Sequence, residues 1–341
     1  MASGAPGYHT AMDLKFGRRP GDPARPRIRL ARSLTGVVPA HPAAADYLAR
    51  LSGWQMLGND AEGDCVAVTW ANLRRLTTAV LATEFYPPMT QVQSVYATQN
   101  PGGTDNGMDI QTLLEYLVRT GGPDGVKALG FAAVDYANPE EVKAAIAIFG
   151  AVWTGIVVQD AQVSQFSARQ PWDYVSGSPD AGGHSVLAGG YGTGGTGQLG
   201  GDEKFITWAQ ETSFTDRYWS REVQECWVVI WPEHLGSKAF LEGVDLAQFA
   251  ADYTALTGNP FPVPVPPQPA PVPPGPVPPA PVPPAPFDAS DQQLWAATEG
   301  WSAERHAGGN KKAAQAVRAW ARAKGLRESL DFPDQDIAPW S

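Results

Sequence analysis

Two cysteines in 341 residues, at positions 65 and 226, are too few and too far apart for a disulfide framework, so a reducing compartment is compatible with the chain. Long apolar runs are missing as well. No uninterrupted stretch approaches membrane-spanning length, and Arg18-Arg19 are not followed by an apolar segment of the kind a secretion signal needs. The expectation is a cytoplasmic or virion-associated protein with no membrane partner. Positive charge is in deficit, 25 Lys and Arg against 35 Asp and Glu, and the formal charge of −10 argues against general nucleic-acid binding. There is no His-Glu-x-x-His and no paired Cys-x-x-Cys, so neither a metal nor a cofactor is expected.

What basic charge there is gathers at the start, where residues 1–45 hold seven Lys or Arg against Asp13 and Asp22. This segment reads as an extended, solvated basic arm. Proline gathers near the other end: 260–286 contains sixteen prolines in 27 residues, which can neither pair as sheet nor continue as helix. A linker is therefore placed at 259–287, reaching roughly 80 Å if it adopts polyproline II. Beyond it, 288–341 carries two helical patterns, one with Leu294, Trp295 and Trp301, the other with Ala313, Val317 and Trp320. They read as a small helical hairpin expected to bind a protein or cell-wall partner.

Between arm and linker, 46–258 reads as helices followed by strands. A helix runs from Asp64 to about Ala82 with Asp64 as its cap; a second opens on a Thr90-x-x-Gln93 capping box; a third spans 109–120; a fourth starts at Asn138-Pro139-Glu140-Glu141. After Gly150 the pattern turns to short β-branched and aromatic runs at 151–158, 185–191, 205–208 and 227–231. The glycines at 189–195 follow a strand with no helix after them, so they read as a hairpin connection rather than a phosphate loop. Segregated helices and strands imply an α+β fold with an antiparallel sheet.

Cys65 stands where a turn-forming stretch, Gly58-Asn59-Asp60-Ala61-Glu62-Gly63-Asp64, meets a helix. A thiol in the first helical turn feels the positive end of the helix dipole, which favours the thiolate that attacks carbonyl carbon. Asp64 and Glu62 oppose that effect unless capped or turned outward. Cys226, in Glu225-Cys226-Trp227-Val228-Val229-Ile230, reads as a buried structural thiol. A nucleophile needs a base, and His184 in Gly182-Gly183-His184-Ser185 sits at a strand start with space beside it.

The order of these residues resembles the papain-like cysteine peptidase superfamily: a helix directly after Cys65, Asn59 six residues before it, a strand at Phe149-Gly150-Ala151-Val152-Trp153, Gly183-His184, and then Phe205-Ile206-Thr207-Trp208-Ala209-Gln210. Among such proteins it looks most like those of actinobacteria and their phages, through Gly58-Asn59-Asp60 with Gly63-Asp64-Cys65, Thr104-Asp105-Asn106-Gly107, Gly182-Gly183-His184 and Thr207-Trp208-Ala209. The resemblance implies a papain-like fold with Cys65 as nucleophile, His184 as general base, Asn59 as oxyanion donor and Trp208 lining the substrate site. The family's Asn before this tryptophan is absent; Thr207 and Gln210 are the available orienters of His184, and Gln210 is the choice made here. The implied activity is cleavage of a peptide or amide bond through a thioester, on a peptide, protein or cell-wall peptide substrate, including peptidoglycan amidase or endopeptidase action. The alternative is a catalytically inactive papain-like scaffold that binds, for example within a virion.

Overall fold

The computed structural model describes residues 14–36, 39–192 and 203–264. All lie in the first of two units into which the chain divides, Met1–Pro267 and Gln268–Ser341. Most of the expected linker and the whole of the expected hairpin fall outside the described residues.

Strands β1 (Ala45–Asp46), β2 (Gly130–Ala133), β3 (Val152–Gln159), β4 (Asp180–Tyr191), β5 (Glu203–Thr207), β6 (Gln210–Phe214) and β7 (Val223–Ile230) form one antiparallel sheet in the order β2-β7-β3-β4-β5-β6, with β1 paired to β4. Side chains alternate across it, as the two-residue period of a strand requires. Val152, Val186, Ala188, Phe205 and Val228 enter one core; Trp153, Leu187, Ile206, Trp227 and Val229 enter the other. The first core takes its helical residues from α4 (Pro139–Phe149), α5 (Asp160–Ser167), α6 (Asp216–Glu222), α7 (Lys238–Gly243) and α8 (Leu246–Thr257), and the second from α1 (Cys65–Leu81), α2 (Met89–Ala97) and α3 (Ile110–Arg119).

Helix α1 is buried on every side from Cys65 to Thr78, not along one stripe, because it passes through the second core. Its interior cations are paired. Arg74 donates to Asp124 and to Glu233, each at 2.8 Å, and lies over Trp231; Arg75 bonds Glu84 and packs over Trp54 and Tyr86. The start expected of α4 forms, with Asn138 accepting from the Glu140 N–H, and α3 is capped in the same way by Asp109, which accepts from the Thr112 N–H. That expected of α2 does not: the helix begins at Met89 after Pro88, so Thr90 already lies inside the first turn. Sequence patterning passed over β2 and β6, four and five residues long, and the helices after β3.

The described part of the expected N-terminal arm is not solvated. From Leu14 to Gly36 it packs along the body, burying Arg18, Ile28, Leu30 and Leu34 and forming parallel bridges from Arg18 to Met108 and from Arg29 to Ala133. Residues 15–19 cross the line where the N-terminus of α1 meets β4.

Candidate active site

Cys65 is the first residue of α1, with 1% of its surface exposed. Main-chain N–H groups of Ser185, on β4, and of Gly17 reach the thiol and favour its anion, as does the Arg18 charge. Burial outweighs them, and with Asp64 adding repulsion the thiol is pushed up to about 12. The helix is tied to β4 at this end by Thr69, whose hydroxyl donates to Cys65 O at 2.8 Å and accepts from Ser185 Oγ at 3.0 Å. Trp153 Nε1 donates to the same Ser185 oxygen at 2.8 Å. The residue that precedes Ser185 is His184, so the start of α1 and the His184 stretch of β4 meet at one junction.

His184 Nε2 lies 2.6 Å from Thr207 Oγ1, while Nδ1 is buried with no hydrogen-bond partner among the described residues. In the tautomer that directs the Nε2 proton to Thr207, Nδ1 carries the lone pair. The orienting contact expected of Gln210 is made by Thr207. Gln210 pairs with Thr207 across the β5–β6 hairpin instead. The two-residue turn of that hairpin, Trp208-Ala209, has φ of 41° and 62°, left-handed at both positions as a type I′ turn demands. The strain serves a contact: Trp208 stacks on the imidazole at 4.4 Å between centroids, and Phe16 packs edge-on against both rings. Burial, then the Arg18 charge, holds His184 down at about 3, so thiol and imidazole are both neutral.

Asn59 is buried, and its amide Nδ2 donates to Glu62 O at 3.2 Å and to Lys15 O at 3.4 Å. Trp208 Nε1 donates to the same Lys15 oxygen at 3.3 Å. A peptide carbonyl thus lies between the two donors. Asp64 occupies the N-cap position without capping: its side chain accepts from no helix N–H, and neither carboxylate oxygen has a partner among the described residues. It folds under Gly58, whose φ of 112° a side chain would resist. Burial, then Glu62, raises this carboxyl to about 8.

The covering segment is held as a strand is held. Gly17 and Arg18 both donate to Gly183 O, at 3.1 and 3.0 Å; Met108 N donates to Gly17 O at 2.7 Å; Arg19 N donates to Met108 O at 2.8 Å. Glycines permit this approach, since a Cβ on Gly183 would stand 2.2 Å from Arg18 O and one on Gly107 2.0 Å from Gly17 O. The Thr104-Asp105-Asn106-Gly107 motif builds that wall, with Asp105 accepting from Gly63 N and Tyr96 OH and Asn100 bonding Asn106 N and Gly107 O. Cys226 lies in the first core, on the other face of the sheet, and burial raises its thiol.

The chain is similar to the crystal structure of xylellain, a cysteine protease from Xylella fastidiosa, with a TM-score of 0.51 and 15% identity over 66% of this chain and 99% of that one. The fold is papain-like. A procathepsin B from Trypanosoma congolense aligns with a TM-score of 0.49 and 12% identity, over 65% of this chain and 87% of that one. No family model and no curated protein matches the sequence. Within this papain-like fold Cys65, His184, Asn59 and Trp208 are all buried, Trp208 and Thr207 contact His184, and Asn59 and Trp208 donate to the same Lys15 oxygen. The lining that sequence reading missed, Lys15 to Arg18 and Glu225, had one usable signal: a lone acidic residue at the start of the apolar run Glu225 to Ile230. Among the described residues there is no cluster of His, Cys, Asp and Glu that could hold a metal, and no helix long and apolar enough to cross a membrane.

Proposed function

We propose that the protein is a cysteine hydrolase of peptide or amide bonds whose groove is covered by its own residues 15–19. One observation carries the reading: His184 is anchored through Nε2 to Thr207, its Nδ1 is left unpartnered among the described residues, and it adjoins Ser185, whose hydroxyl bonds Thr69 of the helix that Cys65 begins. Once the covering segment leaves, the thiol proton passes to His184 Nδ1 and the sulfur attacks the substrate carbonyl carbon. The charge that develops on oxygen is met by the Asn59 amide and the Cys65 N–H. The C–N bond then breaks, with the imidazolium returning its proton to the leaving amine, and a thioester remains. Water, deprotonated by His184, cleaves the thioester and regenerates the thiol.

The neutral thiol and imidazole fit a resting state, because burial disfavours both charges and displacement of residues 15–19 admits water. The same chemistry serves a peptidoglycan amidase or endopeptidase. A second reading, an inactive papain-like scaffold that binds, is favoured by the almost complete burial of Cys65.

The full-length chain and its Arg18→Ala variant separate these readings when assayed on fluorogenic peptides, casein and purified cell wall. Turnover that rises in Arg18→Ala and vanishes in Cys65→Ala and in His184→Ala supports the hydrolase. An Arg18→Ala chain whose Cys65 is alkylated readily but which cleaves none of the three supports the scaffold.

A further inference from the structure

At one edge of the sheet, β2 is only partly covered. Just past its end Val134 N donates to Cys226 O at 2.9 Å, whereas Ala133 N turns the other way and donates to Ile28 O at 2.8 Å. The register of β2 with β7 is unbroken from Gly130 to Ala133, so Phe131, two residues before Ala133, shares its outward direction. The main-chain N–H and C=O of Phe131 therefore face away from the sheet, and neither has a main-chain partner among the described residues. An open edge of this kind is a template for an added strand.

Beside that edge lies a cleft of about 450 Å³, with α3 contributing from one face of the sheet and α8 from the other. Ile28, Val118, Phe131, Tyr253 and Leu256 line it, and Leu256 is 42% exposed. The Phe131 ring is fixed edge-on against Trp227 at 5.8 Å. Two cations reach the cleft, and they differ. Arg25 is already engaged, with Asp109 at 3.1 Å and with Glu115. Arg119, exposed at the end of α3, has no hydrogen bond or ion pair to its guanidinium among the described residues. The residues lining the cleft are not those that contact Cys65 or His184.

We propose that this cleft docks an extended acidic peptide of a protein partner, which adds to the sheet at Phe131, seats an apolar side chain against Val118, Tyr253 and Leu256, and brings a carboxylate to Arg119. Each part answers a group left unmatched: the strand edge takes the main chain of an extended segment, the apolar wall takes an apolar side chain, and the guanidinium takes an anion. A free amphipathic carboxylate answers the last two and leaves the edge bare. The site stands whether or not Cys65 turns over a substrate.

The test is binding to the full-length chain. A phage-displayed library of random dodecapeptides is panned on it, and the enriched peptides are synthesised and titrated by fluorescence anisotropy. Peptides of net negative charge are expected, with affinity falling at least about fivefold in Arg119→Glu, a change at an exposed side chain that holds nothing else in place. Leu256→Asp, on the opposite wall, should weaken the same peptides. N-methylation of alternate peptide residues supplies the signature of a strand. In one register it should cost at least about tenfold and in the other little, because only every second N–H of an added strand faces its neighbour. No enriched peptide, binders indifferent to Arg119→Glu, or N-methylation with equal effect in both registers would overturn the proposal. So would dodecanoate that binds in an Arg119-dependent way where no peptide does.

Discussion

Thr207 and His184 meet across adjacent strands with 2.6 Å between Oγ1 and Nε2, and the Trp208 ring next in sequence lies flat on the imidazole. A hydroxyl therefore does the orienting that a carboxamide was expected to do. Thr207→Val keeps the shape and removes the oxygen. Its kcat should fall about 10- to 100-fold, part of the roughly 10²- to 10⁴-fold that a positioned acid–base group supplies, with KM little changed. Thr207→Asn should retain activity, and steady-state kinetics on the uncovered Arg18→Ala background read both.

The thiol of Cys65 stands at about 12 while residues 15–19 cover it. Thiolate is the species that alkylates, so labelling of the intact chain by iodoacetamide should be slow at pH 8. The rate should climb about tenfold per pH unit through pH 10 without the plateau that an ordinary thiol reaches near its pKa of about 8.5. Arg18→Ala should speed labelling at pH 8 at Cys65 and not at Cys226, as peptide mass spectrometry would resolve. His184→Ala should remove that difference.

Asp64 makes stability depend on pH in a direction opposite to most carboxylates. Its folded value of about 8 lies above the ordinary 3.8, so between these values the folded state binds the extra proton. The stabilising contribution is complete below pH 4 and is lost as pH rises through 8, at up to about 1.4 kcal/mol per pH unit. Asp64→Asn should flatten this dependence and be more stable than the parent above pH 8, as urea unfolding at pH 5.5 and 8.5 would measure.

Ala209 sits at a φ of 62° in the β5–β6 turn. Glycine meets no Cβ penalty there, so Ala209→Gly should raise stability by about 1 kcal/mol, seen as a higher melting temperature with the same hairpin register. The opposite result would mean that the turn is held by more than backbone preference.

Where one physical rule dominated locally, sequence alone was enough. Asn138 announced its helix because capping is decided within four residues, and the helix over 109–120 was legible from the helical spacing of Ile110, Leu113, Leu114 and Leu117 alone. Cys65, His184, Asn59 and Trp208 could be singled out because each keeps a recognisable neighbour in the sequence. Thr90 misled because Pro88 takes the N-cap position and the helix starts at Met89, two residues earlier than the capping-box pattern implied. The N-terminal segment misled more deeply. Its seven cations suggested solvation, whereas Arg18 is buried against a carboxylate more than 200 residues away, a partner no local pattern can supply. Thr207 over Gln210 was a matter of strand order: β5, which carries Thr207, adjoins the His184 strand, while β6, which carries Gln210, lies one strand further out.

That the occupant of the groove belongs to the same chain sets the terms on which anything else enters. A tethered segment meets its site at a local concentration on the order of mM, so a free peptide of equal grip at about 1 µM would hold roughly one groove in a thousand. Dilution does not relieve this, because the encounter is first order in the protein itself. An outside ligand succeeds by gripping harder than Phe16 to Arg19 do, or by arriving after that segment has been cut.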